Sequence, residues 1–566
     1  MARLSLEILL AEDADAWSAT PANMQAWKKL YQECPWHFPT LSPDFYRLWL
    51  RHYGKDWRPL LVIGSDTASG KLQALFPLAV RGALITGAGA HQAEYQGWLG
   101  GEENAGDFLR DALRGIQDRL PSHLVRLRYL VPAIPQRAVA AVCSRYPAAL
   151  LTQYPRPLLR LDKASIEKNL RKKGTRSKLN RLKRAGQVDF RRLTDIDRIH
   201  DHLGSIIAMY DFRQGAANDS CPFLDDPNKE AFLLDWAAQS ADDELHISCM
   251  TLNDRAIAAH IGVRGGEGIQ LAILAYSPEY GAYSPGKLQL YHTARMLAEE
   301  GSTYLDLTPG GDPWKERFAT EHDTVLILEV HPSATAAARI RLSNRLDRHA
   351  RSLLRGLGVS PTRVKSSLRA ARGLVTGELL KALRPTHVEY RLYRMALRDL
   401  PVSSPGGEVH MNDLRQLTLY DQEQRQPGRQ SYLARALARL ESGDRIYSMA
   451  DYSRLLCSAR LSGPRTKAYV AEAEQDLLFP LPSHLIDDLY FHPDFREGRD
   501  ATILLQRILS DLKEDGVQAA YLGVNTANIN DDWLKALGFE AVGSAHLARR
   551  LWHKRRWQDI HLDDDA

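Results

Sequence analysis

Between Ile269 and Phe318 the chain sets out an apolar run, a Gly/Pro-containing loop, an amphipathic helix, a second apolar run and a polar loop in unbroken succession. The first run, Ile269 to Ala275, has the length and composition of a buried strand. Leu290, Ala294, Leu297 and Ala298 then recur at i, i+4, i+7 and i+8, which predicts a helix with one apolar face. Thr303 to Leu307 reads as the next strand, with Asp306 at its carboxyl end on the opposite side from Leu305 and Leu307. Ser284-Pro285-Gly286-Lys287 lies just before the helix. A small loop feeding a helix start presents free N–H groups and the positive end of the dipole, which together suit a phosphate or pyrophosphate.

Tyr276, Tyr280 and Tyr283, then Pro285 and Gly286, then Asp306, Gly310 and Lys315 form a spaced set. At these residues the chain resembles the CelD/BcsL-type branch of the GNAT acyltransferase superfamily, whose pattern has a tyrosine-rich segment, a Pro-Gly helix start and a D-x-x-x-G-x-x-x-x-K-like stretch. The resemblance implies acetyl-CoA or another acyl-CoA as co-substrate, no metal, and a small-molecule or saccharide acceptor. Direct transfer from a thioester needs a nucleophile, a base, polarisation of the thioester oxygen and a tether for the pyrophosphate. Ser284, Gly286 and Lys287 are the tether, with Tyr276 also assigned to the cofactor. Asp306 is the base or the orienter of the substrate, Lys315 binds a carboxylate or phosphate of the acceptor, and Tyr283 is the third catalytic candidate. The plain alternatives are a capping aspartate at 306, a surface lysine at 315 and packed aromatics at Tyr276 and Tyr283. Tyr95 is a weaker candidate still.

With 566 residues, 44% hydrophobic and 25% charged, the chain has room for about three or four domain-sized units. Its first residues, MARLSLEILLAEDADAW, break their apolar stretch at Glu7 and do not read as a signal peptide. Five cysteines stand without CxxC or metal-ligand spacing, which predicts reduced structural thiols and a cytoplasmic protein.

Charge is distributed unevenly. Residues 336–398 hold fifteen Lys/Arg against three acids, a local +12 that leaves −7 for the rest of the +5 chain. Ile340, Leu342, Leu346, Ala350, Leu353 and Leu357 recur at near-helical spacing, so the segment reads as a basic amphipathic helix. It serves either as a solvated connector between domains or as an attachment to an anionic membrane surface at the inner face of the membrane. The lack of interleaved aromatics disfavours nucleic acid. A shorter basic stretch, KNLRKKGTRSKLNRLKR at 168–184, carries nine Lys/Arg in 17 positions, either as a solvated helix face or as part of a site for an anionic cofactor.

Residues 1–160 alternate helical patterns around Trp27 and Phe45 with short apolar strands, a mixed α/β unit with no phosphate loop. This half resembles the N-terminal part of CelD/BcsL-type and FemAB-like proteins, in which two GNAT-like halves are fused. Residues 405–556 carry a strand at Leu485 to Phe491, an amphipathic helix through Ala501, Leu504, Leu505, Ile508, Leu509 and Leu512, and a strand at Ala519 to Val524. Here FREGRDATILL and NTANIN…LGF are similar to the conventional GNAT core, which assigns Arg496, Arg499, Ala501 and Asn525 to cofactor binding. Two departures stand out: Arg499 occupies a glycine position of the family's pyrophosphate loop, and Leu534 replaces the tyrosine that protonates the departing thiolate in many relatives.

The expectation is therefore an α/β, multi-domain protein with tandem GNAT-like mixed sheets flanked by helices. Its parts are an N-terminal GNAT-like half at 1–160, an acyltransferase domain at 161–335, a basic helical connector at 336–404 and a GNAT-like domain at 405–566. The resemblance implies CoA-dependent acyl transfer to an amino or hydroxyl group, linked to extracellular polysaccharide synthesis. A FemAB-like transferase using aminoacyl-tRNA and a non-catalytic acyl-CoA-binding scaffold are the alternatives.

Overall fold

A computed structural model of the chain describes residues 4–239, 244–356, 386–398, 409–421, 428–470, 473–493, 499–526, 531–550 and 553–560. The chain is mixed α/β, with two large mixed sheets flanked by helices, as tandem GNAT-like domains require. It divides into two compact units. The first takes Met1–Gly204, Asp226–Ala275 and Gly286–Leu353, and the second takes Ser205–Asp225, Tyr276–Pro285 and Leu354–Ala566.

The first sheet is built from β1 (Leu4–Leu10), β2 (Arg58–Asp66), β3 (Leu72–Arg81), β4 (Leu84–Gly87), β5 (Leu124–Leu127), β6 (Ala149–Arg160), β7 (Val188–Leu193), β8 (Leu245–Leu252), β9 (Arg255–Gly265), β10 (Gly268–Tyr276), β11 (Tyr304–Asp306) and β12 (Glu321–Val330). Their order is β1-β2-β3-β4-β5-β12-β6-β11-β10-β9-β8-β7. Interior strands such as β2 and β3 are buried on both faces, which explains their continuous apolar runs. The sheet has no break at residue 160. β12, from the far end of the expected acyltransferase domain, pairs with β5 of the N-terminal half, and β6 pairs with both β12 and β11.

The second sheet holds β13 (Thr386–Ala396), β14 (His410–Met411), β15 (Arg445–Ala450), β16 (Leu455–Leu461), β17 (Arg465–Val470), β18 (Gln475–Phe491), β19 (Ala519–Asn525), β20 (Glu540–Arg550) and β21 (His553–Ile560). β13 corrects the expected helical connector. It lies between β19 and β20, antiparallel to both, and buries Tyr390, Leu392, Tyr393 and Met395. The front of that connector is a helix, Ala334–Gly356. Its remaining parts at 357–385 and 399–404 lie outside the described residues.

Both sheets contain a strand, a helix and a parallel strand. In the first, β10 leads to the Pro285–Glu299 helix and returns as β11. In the second, β18 leads to the Arg499–Glu514 helix and returns as β19, parallel at His484↔Ala520 to Ile486↔Leu522. Each helix covers its sheet with the apolar stripe read from the sequence. Leu290, Ala294, Leu297 and Ala298 pack with Ile269, Leu271, Leu305 and Leu307 in one core, and Leu504, Leu505, Ile508, Leu509 and Leu512 pack with Ile486 and Leu522 in the other. All five cysteines are buried free thiols.

Candidate active site

β10 and β11 run side by side only over Gly268↔Tyr304, Ile269↔Leu305 and Gln270↔Asp306. Beyond that point β11 ends while β10 continues to Tyr276, so the two strands part at Asp306. Gly268 is needed where they meet, because a Cβ there would overlap the Tyr304 ring.

At the opening, Asp306 is buried and accepts three hydrogen bonds. Its Oδ2 accepts from the Tyr95 hydroxyl at 2.5 Å and from Arg156 Nη1 at 3.1 Å, and its Oδ1 accepts from the Thr308 N–H at 2.8 Å. Arg156 stands on β6 between two carboxylates, directly opposite Asp323 of β12 and two residues from Leu158, which faces Asp306 of β11. Its Nε donates to Asp323 Oδ1 at 2.6 Å, and its guanidinium lies 5.7 Å from the centre of the Tyr304 ring. Burial pushes the Asp306 carboxyl above its ordinary range, with Arg156, Tyr95 and the Thr308 N–H pulling the other way. Burial and then the Asp306 charge push the Tyr95 phenol up, so Tyr95 keeps the proton it donates.

The chain leaves β11 through a strained turn. Thr308, a β-branched residue, has φ 63°, and Gly311 follows at φ 74°. Lys315 braces the turn: its Nζ donates to Thr308 Oγ1 at 2.9 Å and to the Thr308 carbonyl at 3.2 Å, and pairs with Asp312 at 3.2 Å. Lys315 is buried, so it is not the surface lysine that spacing alone allows. Glu94 precedes Tyr95 in the chain and feels the charges of this site. Burial raises its pKa, Arg128 and Lys315 oppose the rise, and Asp306 adds to it.

Gly286 and Lys287 occupy the first turn of the Pro285–Glu299 helix, Gly286 buried and Lys287 exposed. The Lys287 pKa is lowered, first by partial burial and then by Lys178, Lys172 and Arg317. Two of the three cations that act on Lys287, Lys172 and Lys178, belong to the basic stretch at 168–184. Lys287 also sits 5.7 Å from the Tyr291 ring, which meets Phe318 edge-on at 5.6 Å.

The other expected residues are placed differently. Tyr276, Tyr283 and Ser284 fall in the segment Tyr276–Pro285, which groups with the second unit, where the Arg213 guanidinium lies 3.7 Å from the centre of the Tyr276 ring. Ser284 has the left-handed backbone expected of a sharp turn into a helix, φ 52°. In the second unit Arg499 opens the Arg499–Glu514 helix, Ala501 is buried within it, and Asn525 ends β19. Arg496 lies outside the described residues. Leu534 is wholly buried in the apolar core, and Tyr521 packs 5.1 Å from Phe479. Among the described residues no group of three or more His, Cys, Asp or Glu could hold a metal ion.

Sequence reasoning ranked Tyr95 lowest and missed Arg156, Glu94, Thr308 and Arg317. Arg156 did leave a signal: an arginine between two prolines at the mouth of the apolar run Leu158-Leu159 needs a buried partner. Nothing local pairs Tyr95 with Asp306 across 211 residues.

Residues 169–316 match the family model described as "Acetyltransferase (GNAT) domain". No curated protein sequence matches the chain. Among solved structures, the chain is similar to the C-terminal domain (DUF2156) of a putative lysylphosphatidylglycerol synthetase from Agrobacterium fabrum, with 12% identity over 57% of this chain and 95% of that one and a TM-score of 0.37. FemX shares 9% identity over 56% of this chain and 98% of its own, TM-score 0.36. The PaiA N-acetyltransferase of Thermoplasma acidophilum in complex with coenzyme A shares 14% over 26% and 99%, TM-score 0.21. Residues 169–316 of this chain therefore carry a GNAT-type acetyltransferase domain.

Proposed function

We propose that the chain is an acyltransferase that moves an acyl group from acyl-CoA to an amino or hydroxyl acceptor at the opening between β10 and β11. The observation that carries this reading is the parting of those two strands after Gln270 and Asp306, inside the matched domain, with the helix that starts at Pro285, Gly286 and Lys287 connecting them. A thioester lying along the continuing part of β10 meets backbone donors that polarise its carbonyl. Gly286 and Lys287, with Lys172, Lys178 and Arg317, hold the phosphates. Asp306, held by Tyr95 and Arg156, positions the Thr308 turn through its bond to the Thr308 N–H, and Glu94 takes the acceptor proton. We assign turnover to this site and not to the C-terminal domain because a leucine, Leu534, stands where the resemblance expects the tyrosine that protonates the departing thiolate. The link to polysaccharide rests on the CelD/BcsL resemblance.

Calorimetry of the full chain with CoA and acetyl-CoA tests the proposal. Gly286→Asp puts a carboxylate at the helix N-terminus where phosphates approach, and binding should weaken at least about a hundredfold. Undiminished affinity in that variant overturns the assignment. Binding of an aminoacylated tRNA in place of CoA, with steep salt dependence, would favour the aminoacyl-transfer reading.

A further inference from the structure

The Ala334–Gly356 helix follows β12 and carries six arginines against one acid, Asp347. Its inner face is fixed to the first unit. Ala337 is fully buried, and Arg341 Nη2 donates to the carbonyls of Pro147 and Ala149 at 2.7 Å each. Its outer face exposes two leucines where a solvated connector would be polar. Leu342 and Leu346, one turn apart, are 59% and 61% exposed with all described residues in place. Arg339 lies one turn before Leu342 and Arg345 beside Leu346, both exposed.

We infer that this outer face docks on an anionic bilayer surface, with Leu342 and Leu346 entering the headgroup region and Arg339 and Arg345 pairing with lipid phosphates. The charge selects the occupant. An apolar pair rimmed by arginines matches a surface that is apolar beneath an anionic layer, and a hydrophobic partner protein supplies no reason for the arginines. The pinned Arg341 makes the face a fixed one, so docking would order little chain and lose little entropy. Among the described residues no helix is long and apolar enough to cross a membrane; docking through this face would be peripheral.

The test is co-sedimentation of the full chain with vesicles of phosphatidylcholine alone and of phosphatidylcholine with 30% phosphatidylglycerol at low salt. The wild type should pellet with the anionic vesicles only. Leu342→Ser with Leu346→Ser, and separately Arg339→Glu with Arg345→Glu, should each lower the partition coefficient at least about tenfold. Arg47→Glu with Lys55→Glu, the same charge change on an exposed part of another helix and its end, should leave it within about twofold. All these positions are exposed, so an unchanged circular dichroism melt is expected. A wild type that stays in the supernatant overturns the inference, as does equal loss in the control pair. So does a dimer in light scattering that the two serine substitutions dissolve while vesicle binding is absent, or an RNA oligonucleotide that binds this face where vesicles do not.

Discussion

Arg156→Met, alone and combined with Asp306→Asn, tests whether a buried charge relay across three strands holds the opening together. In the wild type Arg156 is shared between buried Asp306 and half-exposed Asp323. Removing the guanidinium strands the Asp306 carboxylate in the core, at a cost of about 3–5 kcal/mol. That cost corresponds to about 10²–10⁴-fold faster hydrogen exchange in peptides spanning 150–160 and 303–312 of the full chain. Asp306→Asn removes the charge that needs the cation, so the double variant should recover about 2 kcal/mol or more relative to Arg156→Met. The pH dependence has a definite sign. The folded pKa of Asp306 is raised by burial, and losing Arg156, its largest lowering influence, raises it further. A carboxyl with a raised folded pKa loses stability as pH climbs through that value. The Arg156→Met penalty should therefore be smaller at pH 5.5 than at pH 7.5, by up to about 1.4 kcal/mol per pH unit within the titration. Equal exchange rates in the single and double variants, or a penalty independent of pH, would refute the reasoning.

Glu94→Gln should lower kcat about 10²–10⁴-fold with CoA affinity within twofold, because it removes a proton acceptor and leaves the phosphate site alone; steady-state kinetics with calorimetry checks it. His246 and His260 are buried on β8 and β9 with ring centres 5.6 Å apart, His246 pushed down to about 4 by burial and His260 lowered by burial and by His246. Both stay neutral when folded and take up protons on unfolding below about pH 6.5, so stability should fall as pH drops from there towards 4, by up to about 2.7 kcal/mol per unit. His260→Leu should roughly halve that slope in urea titrations of the full chain read by exchange at 245–263. Gly523→Val in β19 would drive a side chain into the buried Tyr390 ring, whose Cζ is 2.6 Å from an added Cβ, and should destabilise the second unit by about 1–3 kcal/mol in a thermal melt.

The strand–helix–strand around Asp306 was legible because its signals are local: an apolar run, a 3.6-residue stripe and a Pro-Gly helix start all act within one or two turns. The same holds for Leu485 to Val524. β13 was legible in principle, since Val388, Tyr390 and Leu392 alternate with His387, Glu389 and Arg391, but its arginines drew it into the basic segment before it. The pairing of β12 with β5 and the placing of Tyr276–Pro285 with the second unit have no local signature.

The sequence by itself determined the α/β class, the helix faces, the anion-suited helix start and the carboxylate at the strand end. Only the tertiary structure decided what that carboxylate does. Whether Asp306 is a base or an anchor depends on which groups reach it, and those groups are Tyr95 and Arg156, brought from 211 and 150 residues away by strand order. Spacing along a chain sets which side chains share a face; the sheet's register sets which faces meet, and the cost of burying an unpaired charge then requires that donors stand there.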